Sequence, residues 1–257
     1  MKLFDQSTNE VVSMTKLEKE VRFLKIYAGI ATLVVFVFLL TAFTFSKNAA
    51  FDEIDVKRIN VKDDDGQLRM VISNKDRQHY GISDGKPIER KNGRPTPGII
   101  FFDQSGDEMG GLVVGENGGK GHFGSFTFDK VQGDQTIGFR HLESNDGHYE
   151  AGLTIWQEPN IRASELGPKY DALSKITDKE AKKEALQKML DNGELTTTRL
   201  FIGKMRDDDA TVIKLSDIKG RTRIEMSVEA NGNPKLNFLD ENGKIIYSLP
   251  EDVRSKK

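Results

Sequence analysis

The chain has no cysteine among its 257 residues, an absence that excludes disulfides, thiolate metal sites and cysteine nucleophiles together. It leaves the compartment open, because a domain of this size can be held outside the cell by its core alone. An excess of one charge is missing too. Lys and Arg number 38 against 40 Asp and Glu, a net charge of −2, so no global field draws in nucleic acid. No Ser stands in a Gly-x-Ser-x-Gly elbow, and no phosphate-loop or dinucleotide glycine pattern follows a strand-like run. Proline is scarce at seven residues, whereas glycine reaches 24, which leans toward a turn-rich β protein because Gly supplies the positive-φ positions of tight turns. With 37% hydrophobic and 30% charged residues the composition is globular rather than disordered.

One segment stands apart. "IYAGIATLVVFVFLLTAFTF", 26 to 45, runs 20 residues without a charge between Lys25 and Lys47. At about 1.5 Å per residue it is long enough to cross a hydrocarbon core of about 30 Å. A cleaved secretory signal is the competing reading, but its apolar region typically runs about 7 to 15 residues, and only "NAA", 48 to 50, resembles a cleavage site. The expectation is a cytoplasmic lead at 1–25, a transmembrane helix at 26–46 and an extracytoplasmic domain at 47–257. Lys16, Lys19, Arg22 and Lys25 precede the span, against Lys47, Lys57 and Arg58 after it, a bias that places the N-terminus inside. The first 25 residues carry five basic and four acidic groups, so of the net −2 the remainder holds −3. A weakly acidic exterior is a poor binder of phosphate backbones and anionic lipid surfaces. Within the lead, Val12, Leu17, Val21 and Leu24 fall near helical spacing, which suits a solvated extension of the membrane helix better than a coiled coil of under two heptads.

Beyond the span, β-branched and aromatic runs alternate with turn clusters. "NVKDDDG", "IFFDQSG", "KLSDIKG" and "NFLDENG" share one pattern: an apolar residue two before an Asp, and a Gly three after it. The pairs are Asp63 with Gly66, Asp103 with Gly106, Asp217 with Gly220 and Asp240 with Gly243. Asp at the first and Gly at the fourth position suits a type I hairpin turn, where the carboxylate accepts from backbone N–H groups and Gly takes the left-handed conformation. A catalytic loop would occur once; four recurrences with varied intervening residues argue for turns.

Other chemistries fit less well. "DDDG" lacks the alternate spacing and distant Glu of an EF-hand, and "GENGGKGHFG" lacks the Asp and the nine-residue recurrence of a solenoid calcium repeat. A glycosidase pair needs two carboxylates about 5 to 10 Å apart, and 40 acidic residues allow many pairs without selecting one. Of His79, His122, His141 and His148, the tightest group is His141, Glu143 and His148 around an Asn-Asp-Gly turn. A zinc site would need these donors on one face, so ordinary strand residues are the preferred reading. Trp156 reads as a core or rim anchor before a carbohydrate platform. No catalytic, cofactor or metal residue is assigned.

Strand-like runs fall at about 54–61, 67–73, 98–102, 111–115, 123–129, 136–143, 149–156, 198–204, 210–216, 221–229, 235–239 and 244–249. Two stretches interrupt them. Residues 75–97, polar and rich in Gly and Pro, read as a long loop, either a mobile excursion or part of a binding face. Residues 164–193 read as helical, with a Thr177-x-x-Glu180 capping box, Ala181, Ala185, Leu186, Met189 and Leu190 on one face, and a stop at Gly193. Such an insert most simply covers a face or edge of the sheet. The predicted class is mainly β: an N-terminal transmembrane helix plus an antiparallel meander, either an extended hairpin stack or a sandwich or barrel.

The ordered motifs "IDVKRINVKDDDGQLRMVISN", "PGIIFFDQSGDEMGGLVVG", "DQTIGFRH", "GLTIWQEP" and "LSDIKGRTRIEMSVEANGNPKLNFLDENGKI" resemble an uncharacterised family of bacterial single-pass membrane proteins with a β-hairpin-rich exterior. The resemblance covers nearly all of 54–249; it implies an extracytoplasmic β domain and supplies no functional residues. The function expected is a non-enzymatic envelope module, held in the bilayer by its helix, that binds a protein, a glycan or its own copies. The alternative is an envelope hydrolase acting on glycan or cell wall through dispersed carboxylates.

Overall fold

The computed structural model describes residues 3–43, 49–88 and 93–250, and within the first helix the side chains of 14–40. The chain divides into two compact units, 1–55 and 56–257. The first is built on α1 (Leu3–Phe43), 41 residues of continuous helix. Lead and apolar segment therefore form one rod, as the solvated-extension reading expects; the end of the span expected at 44–46 lies outside the described residues. Met14–Leu40 is long and apolar enough to cross a membrane.

The second unit is mainly β, with every expected strand present. Its strands are β1 (Arg58–Lys62), β2 (Leu68–Ser73), β3 (Ile82–Ser83), β4 (Lys86–Pro87), β5 (Gly98–Phe102), β6 (Glu108–Glu116), β7 (Gly121–Asp129), β8 (Gln135–Ser144) and β9 (Tyr149–Gln157). After α2 (Ala163–Ser174) and α3 (Lys179–Asp191) come β10 (Thr197–Lys204), β11 (Thr211–Ser216), β12 (Thr222–Val228), β13 (Pro234–Leu239) and β14 (Ile245–Leu249). All but β3 and β4 form one 12-stranded antiparallel sheet in strict chain order, with β1 and β14 at its two edges. The extended stack, not a closed sandwich or barrel, is the architecture.

The Asp-x-x-Gly turns behave as their chemistry dictates. In each, the Gly N–H donates to the Asp carbonyl and the Asp N–H to the carbonyl four residues on, as at Gly220 to Asp217 (2.9 Å) and Asp217 to Arg221 (2.9 Å). Each turn Gly is at positive φ, as a type I turn of this kind needs, and in the returning strand the pairing then skips one residue, Arg69, Met109, Arg223 or Ile246, a bulge beside each turn. Carboxylates of Asp103, Asp217 and Asp240 accept from backbone N–H groups inside their own turns. Because the meander alternates direction, all four turns fall at one end of the sheet. Gly220 sits at φ 76°, and a Cβ there would lie 3.1 Å from Thr197 Cβ. Gly220→Val should lower stability by about 1–2 kcal/mol in urea titration, whereas Asp103→Asn, which keeps the acceptor oxygen, should stay within about 0.5 kcal/mol.

Three expectations are corrected. The first strand begins at Arg58 rather than near 54. The helical insert is two helices, and α3 is capped by Asp178, whose carboxylate accepts from Ala181 N–H at 2.8 Å, rather than by Thr177. The carboxylate one residue later reaches the third helical N–H, so the Thr hydroxyl is not needed. Nor does the insert lie across the sheet or along its edge; only α2 borders the polar face, where Ala163, Ser164 and Asp171 line a cleft. The insert joins β9 to β10 at the turn-bearing end and is held to neighbouring turns by Ala163 N–H to Gln132 O (2.8 Å) and Lys219 Nζ to Asp191 Oδ1 (2.5 Å). Leu166 and Met189 are its buried anchors.

The registers sort the side chains into two faces. On one, a single ladder crosses every strand: Ile59, Ile72, Ile99, Leu112, Phe126, Phe139, Leu153, Ile202, Ile213, Met226, Leu236 and Leu249 are paired neighbour to neighbour. A second ladder on that face runs Val61, Met70, Phe101, Gly110, Phe128, Ile137, Ile155, Leu200, Leu215, Ile224, Phe238 and Tyr247. The opposite face carries small and polar residues, and there the compact core of Val71, Ile100 and Phe102 sits. Trp156 also lies on that face, its ring over Gly138, where any Cβ would come within 3.2 Å of it. That is the anchor role expected of it.

Candidate functional site

The polar face is where titratable groups converge, under a flap formed within 75–97, where the sequence predicts a long loop. Within 75–97, residues 89–92 lie outside the described residues, and the rest is not a structureless excursion. Ile82–Ser83 and Lys86–Pro87 form a two-stranded hairpin about Asp84 and Gly85, both at positive φ (53° and 69°). Asp-Gly between two short strands is a recognised two-residue turn signal, so this element was open to sequence reasoning and was missed. Its tip is pinned by Asp107, 3% exposed, whose two carboxylate oxygens accept from Gly85 N–H (2.8 Å) and Asp84 N–H (3.0 Å). The Asp84 carboxylate accepts in turn from Arg162 (2.8 Å) and Ser164 (2.5 Å), tying the flap to the start of α2. Beneath it, His79 is buried against Phe102 and Tyr80, its Nδ1 accepting from Gly81 N–H. Burial first, and then the Arg58 and Arg94 charges, hold this imidazole below its ordinary pKa.

On its returning limb the flap delivers Arg94 to Glu108. The guanidinium grips both carboxylate oxygens, at 2.8 and 2.6 Å, with the side chains only 16% and 11% exposed. Flap, sheet and α2 enclose a cleft of about 1,020 Å³, lined among others by Lys86, Arg94, Glu108, Thr127, Asp129 and Arg140. Asp129 is its most perturbed group. Burial, reinforced by the negative charges of Glu108, Asp134 and Glu158, pushes this carboxyl up to about 7, and its Oδ1 is enclosed without a hydrogen-bond partner among the described residues. Glu158, also raised mainly by burial, accepts from Thr196 Oγ1 (2.5 Å) and Asp134 N–H (3.2 Å). The cleft thus offers a carboxyl able to hold a proton near neutrality beside carboxylates already engaged by Arg94 and Thr196. None of these residues carries a local motif; burial and long-range neighbours create the perturbation.

The other residues weighed from sequence are placed as follows. His141 Nε2 lies 3.3 Å from Glu143 Oε2, and His122 pairs across the strands with Glu143 on the same face. Glu143 pairs with Tyr149 on its other side, and His148 belongs to the turn. Among the described residues no three His, Asp or Glu side chains are grouped to hold a metal ion.

The opposite face presents different chemistry. Of the twelve side chains in its central ladder none is buried, and eight are exposed, up to 58% at Phe139. Leu112, Phe126, Phe139, Leu153 and Ile202 line a shallow apolar depression at its centre. Isolated exposed apolar residues are ordinary, but a contiguous band on this scale marks a surface that something covers. The chain matches no protein-family model and no curated protein. Fold and surface therefore define only a class: a single-layer antiparallel β-meander with one unpartnered apolar face, preceded by a helix long and apolar enough to span a bilayer.

Proposed function

We propose that this chain is a membrane-anchored module of the cell envelope whose β domain stands outside the cytoplasm and works by binding. The carrying observation is the apolar band across all twelve strands, which has the extent of an interface and lies on the side of the sheet away from the cleft. The anchor rests on α1, and the orientation on Lys16, Lys19, Arg22 and Lys25 preceding the apolar stretch. Protease added to intact spheroplasts should digest the β domain and spare a tag on residue 1; protection of the domain with loss of the tag reverses the topology.

One observation favours a second reading, a hydrolase of glycan or cell-wall polymer. Asp129 meets the first requirement of a general acid, a carboxyl still protonated near neutral pH in a cleft. Its partner is the weak point, since Glu108 is neutralised by Arg94 and Glu158 is engaged by Thr196. Full-length protein in detergent should release no reducing ends from peptidoglycan or envelope polysaccharide. Release that Asp129→Asn abolishes would replace binding by catalysis.

A further inference from the structure

From the apolar face we infer that the partner covering it is a second copy of this chain, the two sheets packing face to face across a twofold axis. The inference rests on the binding role proposed above and names its occupant. A β-sheet with one apolar face is stable in water only as one of two layers, normally packed about 10 Å apart and rotated by about 30°. Among the described residues of the β unit, the two segments outside the sheet that could form a second layer are already used elsewhere. The flap is pinned over the polar face by Asp107 and Glu108, and the helical insert is fixed at the turn-bearing end by Gln132 and Lys219.

The available area matches what such a pair needs. Fourteen apolar side chains on this face are each 36–58% exposed: eight in the central ladder, Val61, Phe128, Leu215 and Tyr247 in the second, and Val114 and Val228 beside them. With large apolar residues presenting on the order of 150–200 Å² each when fully open, the face offers roughly 1,000 Å² per copy. Twisted sheets meet over only part of their width; half of this area from both copies still gives about 1,000 Å², the lower bound of a specific interface. Two copies anchored in one membrane are concentrated in a common layer, which raises association further without new contacts.

Charge also selects the occupant. None of the 24 positions in the two ladders is charged, so within this band twofold symmetry brings no like charges together. A lipid surface would call for a basic rim, yet at the far end of β6 and β8 the same face carries Glu116 and Glu143, and the charge of its Lys204 is paired with Asp209. The interdigitation a sandwich requires has a place to begin in the depression around Phe139.

The full chain, solubilised in detergent and weighed by light scattering, should be a dimer. Phe139→Gln, Ile202→Gln and Met226→Gln together should shift it to monomer, a loss of at least tenfold in association, with far-ultraviolet circular dichroism and thermal midpoint preserved. Because the chain has no cysteine, single substitutions place cross-linkers cleanly. Leu112→Cys or Phe139→Cys should trap dimers in native membranes, and Lys235→Cys, on the polar face, should not. A monomeric wild type, or a dimer untouched by the triple substitution, overturns the inference, as does cross-linking confined to edge positions such as Asn60→Cys. None of these results decides between binding and hydrolysis, which the spheroplast and polysaccharide assays test separately.

Discussion

Arg94→Ala should cost the β domain about 3 kcal/mol or more, read as a fall of roughly 6–12 °C in thermal midpoint for a unit of this size. The guanidinium makes two parallel hydrogen bonds to Glu108 in surroundings that leave the carboxylate 11% exposed. Exposed ion pairs contribute little because water competes for both partners; here the competing solvent is largely gone. Removing the cation strands a buried carboxylate beside Asp129, whose own ionisation Arg94 favours, so Glu108 loses its counter-charge and Asp129 is pushed further toward its protonated form. Arg94→Lys keeps the charge but not the fork and should fall in between. Adding Glu108→Gln to Arg94→Ala should restore part of the loss, because the stranded charge is then gone; a double-mutant cycle measures that coupling. A single-variant cost under about 1 kcal/mol would mean that Asp107, not this pair, holds the flap.

What the sequence made legible was local. Period-two alternation and Asp-x-x-Gly punctuation placed twelve strands within a few residues of their bounds, because strand and turn each depend on a handful of neighbours. The two faces were harder to read. Each bulge beside a turn shifts the alternation by one residue: with Met109 skipped, Glu108, which by counting from Gly110 would join the apolar face, pairs with Phe102 and lines the polar cleft. That the apolar positions form ladders across the whole sheet follows only once these slips are known. The flap was hidden for another reason. Its Asp84-Gly85 turn is a local signal, but what folds it down is Asp107 and Glu108, more than a dozen residues away, and no local pattern marks such a partner. The perturbed carboxyl of Asp129 is likewise a property of burial among Glu108, Asp134 and Glu158 and carries no motif.

Asp129→Asn should stabilise the domain at pH 8 and leave it nearly unchanged at pH 4. In the unfolded chain this carboxyl ionises near 3.8; in the fold it holds its proton to about 7. Below 3.8 both states are protonated and Asp129 adds no pH dependence. Between 3.8 and about 7 the unfolded state sheds a proton that the folded state keeps, so stability falls as pH rises, and above 7 the loss is complete. A gap of about three units corresponds to roughly 4 kcal/mol as an upper bound, reduced by the part of the group that water still reaches. Asp103 and Asp217 act in a separate window. Burial opposes the ionisation of each, but hydrogen bonds outweigh it: from the Ser105 hydroxyl and turn N–H groups to Asp103, and from Arg221 and turn N–H groups to Asp217. Both are held below 3.8, and the stability they add is lost as pH falls below about 4. The Asp129 contribution to the wild-type thermal midpoint should therefore decline from pH 4 toward pH 8, against the opposite contribution of His79, whose lowered pKa removes stability as pH falls below 6.5, and relative to wild type Asp129→Asn should gain as pH rises. The amide leaves an uncharged polar group in the same enclosed position, so comparison at pH 4 isolates the charge from the packing. If wild type and Asp129→Asn keep parallel profiles from pH 4 to 8, the carboxyl ionises normally, and the one group in the cleft suited to act as a general acid loses that capacity.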